Sequence, residues 1–438
     1  MDFPDVARVR QDFPRPRVGD VSATVQRLVA SSRLRERVRH GGTVAIGVGS
    51  RGIAEIATIA RATVDAIAAM GFRPFLVAAM GSHGGATPDG QRALLASFGI
   101  TPETMGVEVR TDMDTVEVGT SPIGLPIPFD RNAFEADGIV LINRVKPHTD
   151  FTGRYESGLV KMLGIGLGKR EGAARLHTLG VRGLRDLLPQ VGAILIERTN
   201  FALGLAILEN AHDEPAEIVA VEPEALLDLE PGLLERARGL MGRLPFDQID
   251  VLVVGELGKN YSGSGLDPNV TGRLLVETMP DLPSPVVTRL AVLDASEESH
   301  GNIVGVGFAD LTTERLVSRL DPESFRINSL TSRCLERSRI PITLPTDRDV
   351  IDACLDTCWR LDPADHARMV FIPNTLELAH LWVTPALAAE VEANPGLRFE
   401  SDFQPLPLSE DGTLDQEALF PESVRGKRRG AMANGAGR

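Results

Sequence analysis

The stretch "TVAIGVGSRGIAEIATIARATVDAIAAMGFRPFLVAAM", residues 43–80, decides the fold class. Its two ends, 43–49 and 72–80, are short apolar runs of the kind found in strands that are buried on both faces. Between them, residues 53–70 carry apolar side chains at spacings of three and four, which predicts an amphipathic helix. A strand, a helix and a strand in this order predict a βαβ unit, and therefore a parallel sheet.

The segments that follow extend the same pattern. We predict a helix over 87–99, a Pro-rich hairpin-like region over 115–130 and a third buried strand over 137–143. Each of the three buried strands ends in a loop rich in glycine or polar residues. Because the carboxyl ends of strands in an open parallel sheet face the ligand crevice, we expect functional residues in these loops.

A second α/β set follows an acidic helical segment at 222–244. Its predicted strands cover 249–257, 286–294, 302–311 and 368–374. We therefore predict an α/β protein of two domains, 1–245 and 246–424, with mostly parallel sheets and an active site in the cleft between them. The basic, Gly/Ala-rich segment 425–438 is predicted to be a disordered tail.

The composition limits the class of protein. A chain of 438 residues with 43% hydrophobic residues is long enough for two cores. The 46 Lys and Arg against 60 Asp and Glu give a net charge of −14, which argues against nucleic acid or an anionic membrane as a general partner. Cys334, Cys354 and Cys358 form no CxxC pair, which fits a reducing compartment. With no apolar stretch near the length of a membrane span, we expect a soluble, cytoplasmic protein.

Two glycine motifs resemble nucleotide-binding sequences but lack essential residues. "GVGSRG" (47–52) fits GxGxxG, yet the second strand ends without the acidic residue that holds a dinucleotide ribose. "GIGLGKREG" (164–172) has Arg170 where a phosphate loop needs Ser or Thr. Two readings of these loops stay open: Arg51 holds a substrate carboxylate or is a surface residue, and Lys169 binds phosphate or lies in a glycine-rich turn.

Three histidines and one lysine are the candidate chemical groups. His83 follows the second strand in "MGSHGG", and His148 follows the third strand after Pro147. Two imidazoles on neighbouring strand ends can give and take protons at neutral pH from opposite sides of a substrate. Lys161 stands in the apolar segment "SGLVKMLGIGLG", where a buried amine is a candidate for cofactor attachment. His177 follows 16 positions later, and this spacing alone names no metal.

These residues and motifs resemble the nickel-dependent lactate racemase family. The resemblance rests on "VGSRGIAEI" (48–56), "GSHGGAT" (81–87), the series His148, Lys161 and His177, and "GELGK" (255–259). The resemblance is strong over 40–180 and loose after 260. It implies a covalently tethered cofactor, the nickel-pincer nucleotide, whose chemical name is nickel pyridinium-3,5-bisthiocarboxylic acid mononucleotide. It also implies that proteins which synthesise this cofactor are partners.

The resemblance implies a role for each matched residue. Lys161 would bond to the cofactor, His177 would ligate nickel, and His83 and His148 would alternate as acid and base. The substrate, a small 2-hydroxy acid, would contact Arg51, Glu256 and Lys259. One histidine would take the hydroxyl proton while the cofactor takes the Cα hydride; return of the hydride to the other face of the planar 2-keto acid would invert the centre.

One segment departs from the family pattern. "TDFTGRYESGLVK" (149–161) is longer than the family's loop, which reads like GFSGGxK. The difference predicts a substrate larger or more polar than lactate. Two alternatives stay open from the sequence: a metal-assisted lyase or dehydratase that uses the same histidines, and a non-catalytic binding module for an acidic metabolite.

Overall fold

The computed structural model describes residues 3–50, 52–277, 279–362 and 366–423. Its strands run over Ala7–Gln11 (β1), Thr43–Val48 (β2), Arg73–Ala78 (β3), Val109–Arg110 (β4), Thr115–Thr120 (β5), Pro126–Asp130 (β6), Gly138–Arg144 (β7), Phe201–Glu209 (β8), Pro215–Val221 (β9), Gln248–Leu257 (β10), Val286–Ala295 (β11), Leu311–Thr313 (β12), Ile342–Leu344 (β13), Met369–Ile372 (β14), His380–Val383 (β15) and Leu397–Phe399 (β16).

The α-helices lie between these strands and pack against the sheets. They run over Val21–Ala30 (α1), Leu34–Arg37 (α2), Ile56–Ala69 (α3), Pro88–Ser97 (α4), Pro102–Met105 (α5), Arg131–Phe134 (α6), Leu159–Lys161 (α7), Lys169–Thr178 (α8), Leu188–Arg198 (α9), Leu226–Leu240 (α10), Pro268–Thr271 (α11), Glu314–Ser318 (α12), Pro322–Ser332 (α13), Asp347–Thr357 (α14), Ala388–Ala393 (α15) and Gln416–Leu419 (α16). Within the described residues, no helix is long and apolar enough to cross a membrane.

The first compact unit, 14–241, contains a six-stranded sheet in the order β4-β3-β2-β7-β8-β9. The first five strands are parallel and β9 is antiparallel to β8. Helices α1 and α3 pack on the sheet through a core that includes Val25, Ile46, Ile59 and Ile67. The predicted βαβ unit is therefore confirmed, and the region 115–130 is the antiparallel pair β5-β6.

The second unit comprises residues up to Phe13 and from Gly242 onward. Its eight-stranded sheet has the order β13-β12-β11-β10-β14-β15-β1-β16, and β13 to β14 along this order are parallel. The prediction of an α/β fold with mostly parallel sheets is confirmed. The predicted first domain, 1–245, differs from the structure at its start, because β1 pairs antiparallel with β15 and β16 of the second unit.

One predicted strand is wrong. Residues 302–311 form loops and a short 3₁₀ turn, and the strand β12 begins only at Leu311. The reason is the glycines: Gly305 has φ of +111°, which an L-residue rarely adopts, and a Cβ on Gly307 would lie 2.3 Å from the carbonyl oxygen of Glu336. The apolar residues here therefore pack as a folded loop. The predicted tail 425–438 lies outside the described residues.

Candidate functional site

Three loops of the first unit begin at the same edge of its sheet. Strands β3, β2 and β7 are neighbours and parallel, so the loops that follow them, 79–87, 49–55 and 145–158, start side by side. The first loop carries His83, the second carries Ser50, and the third carries His148 and leads into α7 with Lys161. The edge that the sequence indicates is therefore the edge at which the candidate residues gather.

His148 and Lys161 are in direct contact. Nζ of Lys161 lies 2.5 Å from Nε2 of His148. The backbone N–H of Asp150 donates to Nδ1 of His148 at 3.0 Å, which leaves Nε2 as the protonated nitrogen of the neutral ring. The imidazole also packs against the buried ring of Phe151, with centroids 4.6 Å apart. The ring is thus held in one orientation, with Nε2 directed at the Lys161 amine.

Lys161 ends the short helix α7 and is followed by a π-helical turn, Met162–Gly166. The lysine side chain is partly exposed, whereas Leu159, Val160 and Leu163 around it are fully buried. The apolar residues of this segment therefore anchor the turn, and the amine emerges at the sheet edge. A single π-turn of this kind is often found at functional sites.

His83 stands in a tight glycine turn. Gly84 and Gly85 have φ of +63° and +66°, and His83 itself is exposed. Nδ1 of its ring contacts the hydroxyl of Ser50, which joins the loops after β3 and β2. The fully buried Gln91 of α4 donates from Nε2 to the carbonyl oxygens of Gly81 and His83 at 3.1 and 3.2 Å.

Buried carboxylates hold the other loops. Glu209 at the end of β8 accepts the backbone N–H of Ala54 at 2.8 Å and pairs with Arg144. Burial raises the pKa of this carboxyl, although Arg144 opposes the shift. Arg51, the predicted carboxylate contact, lies outside the described residues.

Glu156 and Glu230 support the segment that carries His148 and Lys161. Glu156 accepts the backbone N–H of His148 at 2.7 Å. Glu230 of α10 accepts the N–H groups of Leu159 and Val160, at 2.6 and 3.1 Å, in the first turn of α7. Burial raises the pKa of Glu156, and it raises the pKa of Glu230 to about 7. Sequence reasoning missed both residues, because no signal in their local sequence indicates burial.

His177 lies on α8, which packs against the π-turn after Lys161. The side chain is exposed, and its Nδ1 lies 2.6 Å from the carbonyl oxygen of Ala173. A carbonyl can only accept, so Nδ1 carries the hydrogen and Nε2 holds the lone pair. This is the tautomer in which a histidine can ligate a metal through Nε2.

Lys169 has an internal structural partner. Its side chain is 1% exposed, and its ammonium lies 2.7 Å from the carboxylate of Asp130 and donates to the carbonyl of Ala78 at 2.8 Å. The residue has φ of +53°, at the break between the π-turn and α8. The ion pair therefore supports the break, and a phosphate contact of Lys169 stays a prediction.

Glu256 and Lys259, the predicted substrate residues of the second unit, follow one another at the carboxyl end of β10. Tyr261 donates its hydroxyl to Glu256 at 2.6 Å, and burial together with this carboxylate raises the pKa of the phenol. Nζ of Lys259 donates to the carbonyls of Gly263 and Val304, both at 3.1 Å. These bonds fold the glycine-rich loop 262–265 over the strand end.

The donor groups fit a metal that is carried by a cofactor. Among the described residues, no three His, Cys, Asp or Glu side chains come together as a metal site. The first unit instead offers one imidazole in the ligating tautomer, His177, and one amine at the sheet edge, Lys161. A lysine amine can attach a cofactor, and a histidine in this tautomer can ligate the metal that the cofactor carries.

Comparison with known families and structures gives one consistent result. Residues 12–184 match the model of the lactate racemase N-terminal domain. The solved lactate racemase apoprotein from Thermoanaerobacterium thermosaccharolyticum aligns with a TM-score of 0.51 at 12% identity, over 84% of this chain and 99% of that chain. At this identity the structural likeness concerns the fold alone.

Two further comparisons add no argument. The structure of O-ureido-L-serine synthase aligns with a TM-score of only 0.13 at 13% identity, over 85% of this chain and 89% of that chain. No curated protein sequence matches this chain.

Proposed function

Since the chain belongs to the lactate racemase family, whose N-terminal domain it carries at residues 12–184, we propose that it is an isomerase that inverts a 2-hydroxy acid at Cα. The contact of 2.5 Å between Nζ of Lys161 and Nε2 of His148 is the observation that carries the proposal. It joins the amine proposed for cofactor attachment to an imidazole proposed for proton transfer. A binding module without chemistry has no need of such a pair.

His83 and His148 are the proposed acid and base. In one direction the neutral ring of His83 accepts the substrate hydroxyl proton, and His148, which enters this direction of the cycle as the imidazolium, returns a proton to the oxygen after inversion and becomes neutral. In the other direction the roles exchange. The hydrogen bond from Asp150 orients the ring of His148. The hydroxyl of Ser50 contacts the ring of His83, and Gln91 holds the backbone of His83.

The proposed cofactor is the nickel-pincer nucleotide, attached to Lys161 and ligated by Nε2 of His177. When bound, it would supply a reversible acceptor for the Cα hydride. The exposed position of His177 and the partly exposed position of Lys161 support this assignment, because neither side chain is buried in the core. Cofactor-synthesis proteins are then required partners.

The proposed substrate contacts are Arg51, Glu256 and Lys259. A guanidinium and an ammonium are suited to a carboxylate, and Glu256 can accept hydrogen bonds from further hydroxyl groups. The long loop 149–160 supports a substrate larger or more polar than lactate, such as a sugar acid. Its ordered interior, built on Glu156, provides more surface for such a substrate than a short glycine loop does.

The test is denaturing mass spectrometry of protein co-expressed with the cofactor-making enzymes, joined to a chiral assay of 2-hydroxy acids and sugar acids. We expect an adduct on Lys161 and inversion of at least one acid. Lys161→Arg should lose both, while Arg170→Ala, an exposed change nearby, should keep both. Inversion by protein with an unmodified Lys161 would contradict the covalent role.

A further inference from the structure

Helix α10 lies beyond the segment matched by the family model and contacts the chain between His148 and Lys161 at three points, two in the loop 145–158 and one in α7. Leu227, Glu230 and Arg238 lie on one face of the helix, because their spacings of three and eight residues are close to whole turns. Leu227 binds Tyr155, Glu230 binds the first turn of α7, and Arg238 binds Glu156. The helix thus contacts both the segment before Lys161 and the segment after His148.

Pro231 explains the first of these contacts. A proline inside a helix has no N–H to donate to the carbonyl four residues earlier, which here belongs to Leu227. The hydroxyl of Tyr155 donates to this carbonyl instead, at 2.6 Å. The helix therefore exposes an acceptor at the point where the loop passes.

Glu156 is the centre of the loop. Its carboxylate is fully buried, and it accepts the N–H of His148 at 2.7 Å and the N–H of Gly153 at 2.8 Å. Arg238 donates to the same carboxylate at 2.5 Å and supplies the opposite charge. At the neck of the loop, Lys146 and Ser157 exchange backbone hydrogen bonds of 2.9 and 3.2 Å.

The backbone pair Lys146–Ser157 at the neck and the carboxylate of Glu156 act on different parts of the loop. The neck pair fixes where the loop leaves and rejoins the sheet, but it leaves the interior unspecified. Glu156 ties two interior amides, five residues apart, to one point. Because one of these amides belongs to His148 itself, the position of its ring depends on Glu156.

We propose that Glu156, held by Arg238, is the positioning residue for His148 and sets the contact between His148 and Lys161. Glu156 accepts the backbone N–H of His148, so its effect on the ring passes through the backbone. This inference rests on the proposed function only in the experiments that measure turnover. It also accounts for a buried acidic residue in the segment that departs from the family's loop.

The experiment compares Glu156→Gln and Arg238→Gln with Arg236→Gln in the cofactor-loaded protein. Arg236 lies on the same helix but pairs at the surface with Glu217, so it is a matched control. Loss of a supporting contact of this kind typically lowers activity about 10- to 100-fold. We expect that loss in kcat for both test variants with KM nearly unchanged, and wild-type values for the control.

Two measurements do not depend on turnover. Hydrogen exchange should speed up in 144–158 for both test variants. In nitrogen NMR of protein with labelled histidine, the signals of His148 are identified by their absence from His148→Asn. In both test variants these signals should lose the pattern of a ring protonated at Nε2. Arg238→Lys keeps the charge and should recover part of each effect, and it also serves if Glu156→Gln does not fold.

The outcomes separate the two proposals. An inactive wild type with altered exchange and His148 signals in the test variants would overturn the proposed function and support the positioning role. An active wild type whose folded test variants keep kcat, exchange and the His148 signals would overturn the positioning role alone.

Discussion

Nζ of Lys161 lies 2.5 Å from Nε2 of His148, although the residues are 13 positions apart. The chain leaves β7, forms the loop 145–158 and returns through α7 so that the two side chains meet. The buried carboxylates of Glu156 and Glu230 support opposite ends of this path. The loop 145–158, although longer than the family's loop, therefore brings His148 and Lys161 into contact.

Replacement of His148 tests the acid/base assignment. We expect His148→Asn to lower kcat about 10²- to 10⁴-fold, the usual contribution of a positioned acid or base. Asparagine keeps the backbone N–H that Glu156 binds, so the loop should persist. For a racemic pair the equilibrium constant is one, so kcat/KM should fall equally from either enantiomer in a polarimetric assay. Unchanged kcat would exclude His148 from proton transfer.

Gly158 is required by close packing. A Cβ at this position would lie 2.5 Å from the carboxyl carbon of Glu230. We expect Gly158→Ala to destabilise the protein by about 1–3 kcal/mol, as overpacking of a tight site does. Gly232→Ala is the control: it lies on α10 with no heavy atom within 4 Å of its Cβ position. That change should stabilise by about 0.5–1 kcal/mol, since alanine is the better helix former.

Urea unfolding of both glycine variants measures these effects. Equal stability of Gly158→Ala and wild type would mean that Glu230 can move aside, and the support it gives to α7 would then be loose.

The pair Lys169–Asp130 tests the structural role assigned to Lys169. Lys169→Met leaves a buried carboxylate without its cation and should cost about 3–5 kcal/mol in the free energy of unfolding. Asp130→Asn in the same chain should recover part of the loss. If Lys169 instead binds the cofactor's phosphate, the apoprotein would keep its stability and only cofactor loading would fall. Thermal unfolding of the apoprotein and metal content after loading distinguish the two.

The fold was readable from the sequence because its strands are buried on both faces. The runs ending at Val48, Ala78 and Arg144 are nearly continuous in apolar residues, and glycine or polar loops mark their carboxyl ends. The site residues His83, His148 and Lys161 could be proposed for the same reason. Their common sheet edge follows from parallel strands.

The supporting residues could not be read in the same way. Glu156 contacts amides within its own loop, and Glu230 contacts amides of a distant segment. Nothing in the local sequence of either residue indicates burial. The ion pair of Lys169 could not be read either, because a lysine after glycines is typical of phosphate loops and its partner Asp130 is distant in sequence. The place of β1 depends on pairing with strands near the other end of the chain, which no local pattern records.

Glu230 predicts how stability depends on pH. Its carboxyl is 1% exposed, and burial raises its pKa from 4.5 to about 7 in the folded protein. Between these values the unfolded chain loses this proton while the folded chain keeps it, so the folded state is progressively disfavoured. The contribution of Glu230 to the free energy of unfolding is fully present below about pH 4.5. It falls as the pH rises and is lost above about pH 7.

The expected size is at most about 3 kcal/mol, from 1.36 kcal/mol for each unit of pKa. Glu230→Gln cannot ionise, so the difference in unfolding free energy between variant and wild type should shift toward the variant by up to this amount across the window. Glu156 and Glu209 also have raised pKa values, but they are present in both proteins and cancel in the difference. Glu197→Gln, exposed on α9, controls for the loss of one charge. If the difference in unfolding free energy between wild type and Glu230→Gln does not change with pH, Glu230 ionises normally and water reaches the first turn of α7.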